Sequence, residues 1–167
     1  MRLRRLRLRV QLLSRRHSVR SGVEDRILAG ELAALGAVGG GGPLIRAVGR
    51  LMKKDVHEIG LHVPLPFGDV VTRVSSVLGK AGRAVEAVPV GGEGEGEVEE
   101  TIRVVVGGGA AGMNPVVVTA RVRRAGADGS EIRLRAAAKE GLIRQRAGEK
   151  TAVRLAALLA AETGTGG

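Results

Sequence analysis

His17, His57 and His62 are the only imidazoles in this chain of 167 residues, which has no cysteine, so any transition-metal or acid–base chemistry would centre on them. A metal site needs two or more converging ligands and a second layer of partners that orients them. His57 adjoins Glu58, which cannot share its helical face, and His62 follows five residues later, a spacing that matches no ligand pattern. No metal site is expected. Ser75 and Ser76 fall within an apolar helical stripe without a Gly-x-Ser-x-Gly elbow around them, so neither reads as a nucleophile. The glycines at 107–109 lack the Gly-Lys-Ser/Thr of a phosphate loop and precede a strand rather than a helix. Glu93, Glu95, Glu97, Glu99 and Glu100 lack the Asp/Asn spacing and closing bidentate Glu of a calcium loop and read as a solvated acidic segment. The missing cysteines exclude disulfides and thiolate catalysis and suit a reducing compartment. We assign no catalytic residue and no cofactor, and read the chain as a binding module rather than an enzyme.

Binding chemistry remains. Hydrophobic residues make up 44% of the chain, yet Phe67 is the only aromatic, so Val, Leu, Ile and Ala must fill the interior. Without Trp or Tyr the usual interface anchors and base-stacking platforms are lacking. Arginines offer a second chemistry: Arg103, Arg121, Arg123, Arg133 and Arg135 fall on one parity of three strand-like segments, where guanidinium groups on a rigid sheet could contact successive phosphates. The competing reading is a solvent face kept from association by its charge.

The elements that must position these residues follow from periodicity. Residues 23–36 suggest a short helix with Val23, Ile27, Leu28, Leu32 and Leu35 on one side and Glu24 and Asp25 near its start. A GGGGP linker follows at 39–43, and 44–51 suggest another short helix. Ile59, Leu61 and Val63 alternate in an extended segment that Pro64 and Pro66 confine to an edge or a strand end. Asp69 opens a helix whose stripe is Val70, Val71, Val74, Val77 and Leu78, ending at Gly79 or Gly82. Four strands are expected at 83–90, 99–106, 115–124 and 131–139, joined by Gly-rich turns that imply an antiparallel meander. A final helix is expected over 142–161. The resulting class is α+β: a single antiparallel sheet of about five strands with helices on one face. Parity puts Ile102, Val104, Val106, Val116, Val118, Ala120, Val122, Ile132, Leu134, Ala136 and Ala138 toward the helices. It also sets Arg against Arg across the hairpin at Asp128 and Gly129, which costs stability unless carboxylates or an anion intervene.

Charge divides the chain. Eight of its 27 basic residues lie in positions 1–22, which hold no acid, so only +2 of the net +10 belongs to residues 23–167. Leu3, Leu6, Val10 and Leu13 at helical spacing among the arginines resemble an organellar transit peptide; the other readings are an unstructured extension or an upstream start codon. We therefore read 1–51 as a basic N-terminal extension with short helices and a Gly-rich linker, and 52–167 as the α+β domain. No stretch is long and apolar enough to be a transmembrane segment. The expected compartment is cytoplasmic, or organellar if 1–22 is a transit peptide.

The element order over 57–161, together with the stretch AAAKEGLIRQRAGEKTAVRLAALL at 136–159, resembles the START-like, Bet v 1-like (SRPBCC) domains and the wider TATA-binding-protein-like class of folds. The resemblance implies a sheet gripping a long C-terminal helix, with a small apolar or amphipathic ligand between them. Phe67, Val71, Leu134, Leu155 and Leu159 would then line the space. The alternative is anion or nucleic-acid binding through the arginine face and the basic N-terminus.

Overall fold

The alternating segments form one sheet. In the computed structural model, which describes residues 21–37, 52–85, 98–108, 112–140 and 145–165, the elements are α1 (Ser21–Ala37), β1 (Lys53–Val63), α2 (Phe67–Ala81), β2 (Arg83–Ala84), β3 (Glu99–Gly108), β4 (Asn114–Arg124), β5 (Ser130–Glu140) and α3 (Ala147–Glu162). The five strands pair antiparallel in the order β1-β5-β4-β3-β2. β1 and β2 are the two edges, so α2, which joins them, crosses the sheet. The expected extension at 1–20, linker at 39–43, helix at 44–51, loop at 91–97 and first residues of the final helix at 142–144 lie outside the described residues.

Two elements differ from the sequence expectation. The edge segment begins at Lys53, because continuous pairing with β5 from Lys53↔Glu140 to Val63↔Ser130 draws in residues whose own pattern is not alternating. The final helix, expected from 142, begins at Ala147, after Arg146 in the left-handed region at φ 51°. Of the strand expected over 83–90, the pairs Arg83↔Val105 and Ala84↔Val104 are described, and 86–90 lie outside the described residues.

Register turns the sheet into rows. On the inner face the rows include Ile59–Leu134–Ala120–Ile102 and Leu61–Ile132–Val122, covered by α2 and α3. Val70, Val74, Val77 and Leu78 of α2 and Ala152, Leu155, Ala156 and Leu159 of α3 are buried against them. The short side chains of Ala136 and Ala138 let α3 approach closely: a Cβ on Gly148 would lie 2.9 Å from the carbonyl oxygen of Asp55. The first turn of α3 is capped by distant carboxylates. Asp55 Oδ2 accepts from the Gly148 N–H at 2.9 Å and the Glu149 N–H at 3.4 Å, and Glu140 Oε1 accepts from Ala147 N–H at 3.0 Å.

α2 and α3 share one face as expected, but α1 lies on the other. There the row Val56–Ala137–Val117–Val105 crosses four strands, and Ile27 and Leu28 pack on it, with Leu28 fully buried. We propose that residues 52–167 are the folding unit onto which α1 docks, since no α1 residue enters the main core. A chain beginning at Met52 is expected to keep a cooperative thermal transition. Loss of the Leu28 contact, worth about 2 kcal/mol, should lower its midpoint by about 5–10 °C. Loss of the transition altogether would make α1 part of the folding unit.

Candidate ligand-binding site

All five residues proposed to line an apolar site meet in one cluster. Leu134 of β5 and Leu155 and Leu159 of α3 are fully buried in the main core, while Phe67 and Val71 of α2 are partly buried and pack against it. Phe67 is the first residue of α2, directly after Pro66, whose carbonyl accepts the Val70 N–H and starts the helix. That junction fixes the ring at the end of the sheet–helix layer, beside the β4–β5 hairpin. Ser130 Oγ donates to the Leu65 carbonyl at 3.0 Å and ties the β1–α2 connection to the hairpin. The Arg124 guanidinium lies over the Phe67 ring, 5.8 Å from its centroid.

The five arginines of the alternative site share the outer face, and each is engaged by the protein itself. Arg135 Nε and Nη2 donate to Glu24 Oε1 and Oε2 of α1 at 2.8 and 3.2 Å, and Arg135 Nη1 donates to Glu58. Burial opposes the Arg135 charge, but its bonds to Glu24 and Glu58 prevail and hold the guanidinium more firmly protonated than usual. Lys54 joins Glu24 at 3.0 Å, and both Lys54 and Lys139 lie near Asp25. Acids at the start of α1 thus meet the basic end of the sheet. Sequence reasoning missed this pairing; the signal for it is the apolar interruption by Val56, Ala137, Val117 and Val105 in an otherwise polar parity.

The expected clash is present as the pair Arg121↔Arg133, and carboxylates relieve it. Glu99 lies 3.5 Å from Arg121, and Glu131 accepts from Arg133 at 3.0 Å and from Arg123 Nε at 2.9 Å. Arg103 donates to Thr119 Oγ1 at 3.1 Å. Burial would raise the Glu131 carboxyl, but hydrogen bonds and charge from Arg123 and Arg133 hold it below the ordinary carboxylate range. With the folded value depressed, this stabilisation is complete above the unfolded value and fades as pH falls through the folded one. The urea midpoint of the native chain should therefore exceed that of Glu131→Gln at about pH 6, and the gap should narrow as the pH falls below the ordinary carboxylate range. A constant gap would remove the ion pairs from the stability of the hairpin.

The residues weighed for catalysis or metal binding that are among the described residues do not converge. His57 and His62 fall on opposite faces of β1, Ser75 and Ser76 are exposed on α2, and Glu99 and Glu100 are exposed at the start of β3. His17 and Glu93, Glu95 and Glu97 lie outside the described residues. Among the described residues no three His, Asp or Glu side chains are grouped to hold a metal ion. No helix among them is long and apolar enough to cross a membrane.

No protein-family model matches the chain, and no curated protein matches it. Among solved structures it is similar to one described as the crystal structure of Ara h 8.0201, at 13% identity over 68% of this chain and 97% of that one. The TM-score is 0.36, a likeness that carries no argument about function.

Proposed function

We propose that the chain is a non-enzymatic binding module that takes a small apolar or amphipathic molecule between its sheet and its helices, entering at Phe67 and Val71. The supporting observation is that one hydrophobic cluster unites Leu134, Leu155 and Leu159, which are sealed from solvent, with Phe67 and Val71, which are not. An apolar ligand seated there replaces water on the two partly exposed side chains and continues the core outward, gaining about 25 cal/mol for each Å² of apolar surface covered. Alanines 136, 138, 152 and 156 keep the layer thin, so the ligand this reading favours is small.

The fluorescence of the neutral apolar probe N-phenyl-1-naphthylamine, titrated with the full chain, tests the reading. Phe67→Ala should weaken binding about tenfold, equivalent to about 1.4 kcal/mol. The variant should still fold, since the ring is partly exposed and its loss costs less than a core truncation. Equal binding by the native chain and the variant would move the site away from Phe67. The arginine face has weaker support as a phosphate-binding surface, because Arg121, Arg123, Arg133 and Arg135 carry carboxylate partners and Arg103 donates to Thr119.

A further inference from the structure

Charged residues stand at both ends of the inner, helix-facing parity of the sheet, among them Asp55 and Glu140, which cap α3, at one end and Glu100 and Arg124 at the other. At one end Asp55, in the row Asp55–Ala138–Val116–Val106, caps α3 through the Gly148 and Glu149 amides. At the other end the inner row is Val63–Ser130–Arg124. Val63 is in the core, Ser130 is fully buried and bonded to Leu65, and Arg124 closes the row with an exposed guanidinium. The β4 residues of the same parity before it, Val118, Ala120 and Val122, are all fully buried and apolar.

Arg124 differs from every other strand arginine. Arg83, Arg103, Arg121, Arg123, Arg133 and Arg135 each bond to a carboxylate or hydroxyl of the protein. Among the described residues the Arg124 side chain has no hydrogen-bond or ion-pair partner, and its guanidinium lies over the Phe67 ring. A guanidinium carries five N–H donors in a planar fork suited to an oxyanion. It is held here at the rim where the apolar cluster reaches solvent.

We infer that the ligand is an amphipathic anion: its apolar part covers Phe67 and Val71, and its carboxylate or phosphate head is received by Arg124. The inference rests on the binding reading above and specifies its ligand class. A neutral or cationic head would leave the guanidinium without an oxyanion partner.

Phe67 is the only phenylalanine and there is no Tyr or Trp, so its ring protons are a uniquely assigned NMR reporter next to Arg124. The full chain is titrated with decanoate, decyl phosphate and 1-decanol at about 0.15 M salt, which screens the arginine-rich N-terminus. Affinity is read from the Phe67 ring, so anions held elsewhere are not counted. At least one anion should bind about tenfold tighter than the alcohol, and the tighter of the two identifies the head group. Arg124→Gln should bring both anions to the level of 1-decanol while leaving 1-decanol unchanged. Arg124→Lys, which keeps the charge and loses the fork, should fall between them. Equal affinity for anion and alcohol, or no effect of Arg124→Gln, overturns the anionic head and leaves the apolar site standing. If none of the three moves the ring, the apolar site falls and the inference falls with it.

Discussion

Leu155→Asp is expected to abolish the cooperative unfolding transition, while Arg154→Asp, one residue away, leaves the midpoint almost unchanged. Leu155 is fully buried in the core between α3 and the sheet, and Arg154, about 100° round the helix, is exposed. A carboxylate at 155 would have no cation in that apolar cluster, and its burial, with the lost leucine, exceeds about 4 kcal/mol. A domain of this size has a margin of only about 5–15 kcal/mol. An exposed Arg-to-Asp change on the same turn stays within about 0.5 kcal/mol. Far-ultraviolet circular dichroism during heating reads both variants, and equal behaviour would mean that α3 faces the sheet in another phase.

Gly148→Val should be almost as damaging, because the obstruction is backbone. A Cβ at 148 would stand 2.9 Å from the Asp55 carbonyl oxygen, 2.9 Å from its Oδ2 and 3.2 Å from the Ala136 carbonyl oxygen. Two of those three atoms belong to paired strands and cannot turn aside. The helix must instead lift, which also breaks the cap that Asp55 provides to the Gly148 and Glu149 amides. Overpacking and cap loss together should cost about 3 kcal/mol or more, read as a shift in the urea midpoint. Gly79→Ala in α2 provides the contrast. A Cβ there meets nothing within 4 Å, so the substitution should stabilise by about 0.5–1 kcal/mol through helix propensity. If Gly148→Val is neutral, α3 does not lie against β1 as closely as described.

Much of this arrangement could be read from residue order. Alternation in β3, β4 and β5 identified each inner-face residue from Ile102 to Ala138, and Pro64 and Pro66, expected at an edge or a strand end, follow the last residue of β1, because proline cannot extend the ladder. The Arg121↔Arg133 opposition was legible as well, since a Gly-containing hairpin allows few registers. The start of β1 was not legible: Lys53 to Glu58 owe their strand conformation to pairing with β5, whose partner residues are 77 to 87 positions away in the chain. Nor was the position of α1. Of its expected apolar side Ile27 and Leu28 pack on the sheet while Leu35 is exposed, and the matching row, Val56, Ala137, Val117 and Val105, draws single residues from four strands and has no local signature. The caps of α3 by Asp55 and Glu140 escape sequence reading for the same reason. In the candidate site, parity placed Leu134 and helical spacing placed Leu155 and Leu159. The meeting of Phe67 with Arg124 depends on how the β1–α2 connection folds against the hairpin, through Ser130 and Leu65.

The proposed binding of an apolar molecule at the Phe67 rim of the sheet–helix layer can be observed residue by residue. Methyl-resolved NMR of the full chain, titrated with 1-decanol, tests it most directly because the probe carries no charge for the arginines to attract. Saturable shifts at one equivalent are expected, concentrated at the Phe67 ring and the methyl groups of Val71, Leu134, Leu155 and Leu159. Shifts that fail to saturate, or that fall elsewhere while those five residues stay still, would contradict it.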